Sequence, residues 1–198
     1  MDGGCSLAIN VINTIHIIVK GVKMSSLQKF HRRTNNAAAV AGGFTTIGSG
    51  SATIGYWLGD VATNRLVVAP KSTEGTTVQW GSYGTTRGAV STTNGLANTN
   101  TLVSFGTVAH PAAGRAKYLS TGGYNTWYLP AKNELNTLYS NKSATPFATA
   151  DSFVGSSYWS STEYNGNYAG VQRMSDGSQG NYNKTSRNYV RAVRRSTI

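Results

Sequence analysis

From Gly42 onward the chain is dominated by glycine, serine, threonine and asparagine. That restricts the fold more than any motif does. Glycine gives up the most backbone freedom in a helix, and short polar side chains compete for the backbone hydrogen bonds a helix needs. Such a chain favours short strands joined by turns. With 23 glycines in 198 residues, long helices are not expected. Only 13% of residues are charged and 39% are hydrophobic, so the chain is not of the highly charged disordered type. Its length allows one domain plus an extension.

The stretch "SSYWSSTEYNGNYAG", residues 156–170, sharpens the question. Tyr158, Trp159, Tyr164 and Tyr168 stand among small polar residues with no apolar run to bury them together. Rigid aromatics with Ser, Gly and Asn are the composition of a recognition surface. A half-buried strand followed by a turn accounts for the same residues.

Eighteen Lys and Arg against seven Asp and Glu give a formal net charge of +11. A basic surface attracts nucleic acid, acidic polysaccharide, sulfated glycan or anionic membrane. No nucleic-acid motif accompanies the charge, and the basic residues are scattered until the C-terminus, so no specific nucleic-acid partner is expected. The single cysteine, Cys5, excludes an intrachain disulfide and a cysteine-based zinc site. Packing alone must hold the fold.

One apolar segment occurs, "LAINVINTIHIIVKG". Residues 7–19 are too short to span a bilayer and are interrupted by Asn10, Asn13 and His16. Leu7, Ile9, Val11, Ile15, Ile17 and Val19 fall on odd positions, the period of one strand or of two broken near Asn13. An exposed apolar strand invites pairing, so these six residues are expected to dock on another chain. An ordinary edge strand of the same domain is the alternative. Residues 1–43 read as an extended anchor or linker, without a convincing secretion signal. Met24 is an alternative start. His31 with Arg32 and Arg33 reads as a solvated charge cluster.

Further on, "RLVVAP" reads as a strand, and "TTVQWGSYGTT" as a strand with Val78 and Trp80 on one face before a glycine turn. "GLANTNTLVSFG" places Leu96, Thr99, Leu102 and Val103 at helical spacing. "YLPAKNELNTLY" predicts a helix with Pro130 at its first position and Leu135, Leu138 and Tyr139 as the buried stripe. Glu134 suits its early turns. "YAGVQRMSDGSQGNYNK" predicts a hairpin about Asp176-Gly177. "NYVRAVRR" predicts a strand with Val190 and Ala192 on one face, and Tyr189, Arg191 and Val193 on the other.

Several blocks occur in an order that fits one family: "LVVAP", "VQWG", "GLANTNTLV", "GGYNTWYLPAKNELNTLY", "YWSSTEYNGNYA", "DGSQGNYNK" and "YVRAVR". The chain resembles the C-terminal domain family of the Legionella collagen-like adhesin, over roughly residues 44–195. The resemblance implies an α+β, C-type-lectin-like domain over 44–198: two short helices on twisted antiparallel sheets, with neighbouring termini. It implies a recognition module of the kind found at adhesin and phage-fibre tips, often trimeric. Trp127 and Trp159, with Tyr158, become core. The turns between strands become the ligand face: Tyr164, Asn165, Asn167, Tyr168, Arg173, Asn181, Tyr182, Asn183, Lys184, Arg187 and Asn188. The basic tail Lys184, Arg187, Arg191, Arg194 and Arg195 is expected to add charge there, with some arginines diverted to backbone or to Tyr189.

The chain departs from the adhesin in having no Gly-x-y stalk. It also lacks the Glu-Pro-Asn and Trp-Asn-Asp motifs of calcium-dependent lectins, so no metal or other cofactor is expected. The catalytic cysteines of the related formylglycine-generating enzymes have no counterpart, since Cys5 lies outside the matched region. His110 has no Ser or Cys partner at motif spacing, and "GSGSATIG" lacks the Gly-Lys-Ser/Thr of a phosphate loop. The expectation is a non-enzymatic phage virion protein, a fibre or decoration subunit, that binds a host-surface glycan or receptor. Its arm would dock on other virion proteins, and the assembly would be a homotrimer. A purely structural decoration protein and a bacterial surface adhesin for sulfated glycans are the alternatives.

Overall fold

The computed structural model describes residues 46–47, 55–144 and 147–197. The arm expected over residues 1–43, including the docking residues Leu7 to Val19, lies outside them.

Thr46–Ile47 (β1), Gly55–Val61 (β2), Asn64–Val68 (β3) and Val193–Thr197 (β9) form an antiparallel sheet in the order β1-β2-β3-β9. The early strands thus pair with the last one. A second sheet contains Gly75–Gln79 (β4), Ser157–Glu163 (β5), Tyr168–Arg173 (β6), Gln179–Asn183 (β7) and Arg187–Val190 (β8), in the order β4-β8-β5-β6-β7. It is mixed: β5 and β8 pair in parallel through Tyr158 and Tyr189, and the other pairs are antiparallel. Among the described residues four α-helices lie between β4 and β5: Gly95–Ser104 (α1), Pro111–Lys117 (α2), Lys132–Ser140 (α3) and Phe147–Ala150 (α4). The fold is α+β, with two more helices than the sequence predicts. The extra ones are short, and α2 buries only Ala112, Ala113, Gly114 and Ala116, too small a stripe to announce itself.

Two apolar clusters flank the strands. Trp80, Trp127, Trp159, Leu102, Leu129 and Val67 belong to one, and Tyr56, Leu58, Leu66, Leu135, Leu138, Phe147 and Tyr158 to the other. Strand β3 serves both: Leu66 and Val68 point into one, Val67 and Ala69 into the other. A strand buried on both faces reads as the unbroken "LVVA". Each large side chain fully buried this way contributes about 1.5–3 kcal/mol.

The C-terminal segment corrects its prediction. "NYVRAVRR" is two strands in different sheets, and the chain crosses at Arg191 and Ala192. Arg191 and Val193 are therefore buried, where one exposed face was expected. Arg191 stitches the crossing. It donates to the Ala69 carbonyl at 2.6 Å, the Asp151 carboxylate at 2.9 Å and the Glu74 carboxylate at 3.1 Å. Tyr158 donates to the same Glu74 at 2.7 Å. Burial first, and the Glu74 acceptor second, push the Tyr158 phenol far up. This ionic knot ties distant segments together in a chain with no intrachain disulfide.

Pro130 also sits differently: α3 starts at Lys132, and Ala131 is its N-cap. Glu134 does more than face the helix dipole. Its buried carboxylate accepts from the backbone N–H of Ala131 (2.9 Å) and Gly95 (3.1 Å), from Tyr128 (2.9 Å) and from Arg195 (2.7 Å). It joins the starts of α1 and α3 to β9.

Candidate functional site

The loops at one end of the second sheet are locked together by a buried charge. Glu163, the last residue of β5, accepts from the backbone N–H of Arg87 (2.8 Å) and Gly88 (2.8 Å) and from the Lys184 ammonium (2.6 Å). Both side chains of the pair are fully buried. Lys184 also donates to the Thr85 carbonyl at 2.8 Å and lies 4.9 Å from the Trp80 ring centre. Backbone bonds extend the lock. Trp80 N–H reaches the Lys184 carbonyl, Ser82 N–H the Ala109 carbonyl, and Lys184 N–H the Asn167 carbonyl. Gly166 packs against Gly84, where a Cβ on Gly166 would meet the Gly84 backbone at an ordinary contact distance of 3.4 Å. Three connections thus form one surface: the β4–α1 loop, the α1–α2 loop and the β5–β6 turn.

That surface displays aromatics. Tyr83 is 53% exposed, Tyr164 66% and Phe105 48%, and Val108 is 96% exposed. The Arg87 guanidinium stacks on Phe105 with 4.5 Å to the ring centre. Asn165 is exposed, but its amide oxygen is engaged: it accepts from the N–H of Asn167 (2.8 Å) and Tyr168 (2.9 Å), shaping the turn that lifts Tyr164.

His110 lies beneath. Its ring meets Trp80 edge-on at 5.8 Å, and Gly81 is pressed on it so that a Cβ there would stand 2.3 Å from Nδ1. Among the described residues neither ring nitrogen has a hydrogen-bond partner. Burial, then the positive charges of Arg87 and Lys184, lower its pKa to about 4. The ring is neutral at ordinary pH.

The predicted ligand residues divide. Tyr164, Tyr168 and Tyr182 are exposed, as are Arg173, Asn181 and Arg187. Asn167 and Asn183 are half-buried, and Asn183 caps its own turn through Thr185. Two assignments are corrected. Lys184 is the buried partner of Glu163, and Asn188 is buried in β8. The tail is corrected likewise: Arg191 is in the ionic knot and Arg195 is held by Glu134. Arg194 is buried with its guanidinium 3.8 Å from the Tyr124 ring centre. The exposed residues fall into two groups. Tyr164 belongs to the loop end, whereas Tyr182 runs along the sheet beside Arg173, and Ser157 and Arg173 hold its phenol below the usual range. Tyr83, Arg87, Phe105 and Val108 were not expected. They lie outside the blocks on which the family resemblance rests, and a lone aromatic in a loop carries no pattern.

The described carboxylates act as structural acceptors. Glu74, Glu134, Asp151, Glu163 and Asp176 are in ion pairs, and Asp60 accepts from the Trp57 indole at 2.8 Å. No group of three or more His, Cys, Asp or Glu among the described residues could hold a metal ion. No helix among them is long and apolar enough to cross a membrane.

Short helices and two sheets thus form a base, and one end holds exposed aromatics in hydrogen-bonded loops. The chain belongs to the Lcl C-terminal domain family, whose model matches residues 62–194. Comparison with curated proteins gives no match. Among solved structures the chain is similar to a fimbrial protein from Bacteroides ovatus ATCC 8483, at 17% identity and a TM-score of 0.47 over 71% of this chain. It spans 43% of that protein's length.

Proposed function

We propose that this protein is a non-enzymatic attachment module that binds a host-surface glycan or receptor through its loop end. The observation that carries the reading is the set of exposed rings of Tyr83, Phe105 and Tyr164, mounted on backbone that the buried Glu163–Lys184 pair holds in place. Rings fixed in this way bind at low entropy cost, and the surrounding Ser, Thr, Gly and Asn adapt their hydrogen bonds to the ligand. Membership in a family that resembles an adhesin domain supports attachment. A C-type-lectin-like variant of the α+β fold is part of the same proposal, supported by the pairing of early and late strands. The carrier we propose is a virion, with virion proteins as partners of the arm; a bacterial surface is the alternative carrier.

The test is binding of the full chain to a glycan array at low and high salt, with Tyr83→Ala and Tyr164→Ala variants alongside. Salt-resistant binding to defined glycans, lost in the variants at an unchanged melting temperature, is the expected result. Binding to every polyanion that salt abolishes and the variants leave intact would overturn it, because screened charge alone would then suffice. No binding would leave the structural decoration reading.

A further inference from the structure

The two edges of the five-stranded sheet are finished differently. Strand β4 is guarded. Its register shifts between Gly75 and Val78, and Thr77 has φ of 53°. Arg115 donates to the Glu74 carbonyl at 3.0 Å, and Arg187 to the Thr77 carbonyl at 3.0 Å. Bulges and charges of this kind block strand addition. Strand β7, "QGNYN", has none of them. It pairs with β6 at five successive positions without a shift and contains no charge and no proline.

The hydrogen bonds fix which groups of β7 point outward. Lys184 N–H donates to Asn167, and Arg173 N–H to the Ser178 carbonyl. By antiparallel alternation Ser178, Gly180, Tyr182 and Lys184 face β6, while Gln179, Asn181 and Asn183 face away. The Asn183 carbonyl accepts from Ser186 N–H. Among the described residues the other outward backbone groups have no partner, and neither has the Asn181 amide.

We propose that β7 is a self-association edge, on which a second copy of this chain pairs its own β7 antiparallel across a two-fold axis at Asn181, a pair in place of the trimer that the family resemblance implies. The pattern is self-complementary about that residue. Asn181 pairs with its counterpart through both backbone groups, and Gln179 pairs with Asn183. The Asn183 carbonyl has a second lone pair for the Gln179 N–H. The non-hydrogen-bonded positions set Tyr182 against Gly180, where a ring covers the gap that glycine leaves. Within one chain Tyr182 already lies 3.9 Å from where a Gly180 Cβ would stand. Charge selects the same place. Copies of a chain with net charge +11 repel, and β7 is a strand edge where no like charges meet. A five-residue pairing is small beside the ~1,600 Å² of a standard interface, so the association is weak in solution and gains from display in an array. This proposal stands independently of the ligand assignment at the loop end.

Sedimentation velocity of the full chain over a wide concentration range tests it, with Asn181→Lys and Asn181→Asp alongside. The wild type should shift reversibly from one chain to two. Each variant alone should dissociate at least tenfold more readily, because like charges then face each other across the axis. An equimolar mixture of the two should restore the pair. Asn181 is exposed, so melting temperatures should hold. If either charge variant melts early, Asn181→Pro replaces it: this removes an outward N–H that β6 does not use and should also abolish the pair, at a melting temperature checked in the same way. A chain that stays monomeric throughout would overturn the proposal. An assembly of any size that these substitutions leave unchanged would overturn it too.

Discussion

Replacing Glu163 with alanine leaves the Lys184 ammonium fully buried, with the Thr85 carbonyl as its remaining oxygen partner. Breaking a buried ion pair from one side costs about 3–5 kcal/mol. For a domain of this size each kcal/mol lowers the melting temperature by roughly 2–4 °C, so the expected loss is about 6–20 °C. The reverse change, Lys184→Met, should cost less. Glu163 would keep the Arg87 and Gly88 amides, and hydrogen bonds to backbone N–H stabilise a carboxylate. The double variant Glu163→Ala/Lys184→Met should cost well under the sum of the two, because it leaves no unpaired ammonium, although the Arg87 and Gly88 amides still lose their acceptor. Urea unfolding followed by tryptophan fluorescence measures all three, and Trp80 beside Lys184 reports on the region. The same variants should lose attachment at temperatures where they remain folded, since residues 81–93 carry Tyr83 and Arg87. A Glu163→Ala protein that loses under about 1 kcal/mol, or a double variant equal to the sum, would refute the claim that this pair fixes the loop end.

Acid sensitivity follows from His110. Its pKa is about 6.5 unfolded and about 4 folded, so between these values the unfolded chain binds the extra proton. Stability should then rise with pH from about 4 to 6.5, by at most about 3 kcal/mol. Urea midpoints across that range check this, and His110→Leu should flatten the slope. Gly177→Ala should destabilise by more than about 1 kcal/mol, since φ is +80° and the new Cβ would stand 2.4 Å from the Tyr139 ring. Gly84→Ala has a similar φ of +81° but nothing within 4 Å, so the difference between their melting temperatures isolates the clash. Glu134→Gln should cost roughly 2–3 kcal/mol in a urea titration, because Arg195 loses its carboxylate and one amide cannot accept at all four contacts.

The strands were legible where periodicity or turn chemistry is local. "RLVVAP" and the Asp176-Gly177 hairpin needed only nearby residues, and Gly177 does adopt the positive φ of such a turn. Helices α1 and α3 show their buried Leu102, Leu135 and Leu138 at helical spacing, although Leu96 of the expected α1 stripe is exposed and Asn98 is buried in the helix as well. The final segment is not legible in this way, because a chain that changes sheets looks locally like a single alternating strand. The buried side of Arg191 depends on Glu74 and Asp151, far away in sequence. Lys184 failed for the same reason: a lysine among Asn and Tyr in a turn reads as exposed, and only its meeting with Glu163 across the sheet buries it. The family, by contrast, was legible from short blocks, because such blocks keep the order of a fold without requiring its contacts.

The corrected arginines change what the net charge means for binding. Of the five basic tail residues, Lys184, Arg191 and Arg195 spend their charge on carboxylates of the same chain, and Arg194 is buried against Tyr124. Only Arg187 remains exposed, and like Arg115 it donates to a carbonyl at β4, Arg187 to Thr77 and Arg115 to Glu74. The loop end presents Arg87 stacked on Phe105 among neutral residues. Among the described residues, the tail charge available to a polyanion therefore lies at the β4 side, whereas shape and aromatic contact are concentrated at the loops. Salt should weaken the first and leave the second, because exposed charges are screened and apolar contact is not. A ligand held by both would keep its selectivity at high salt while its overall affinity fell.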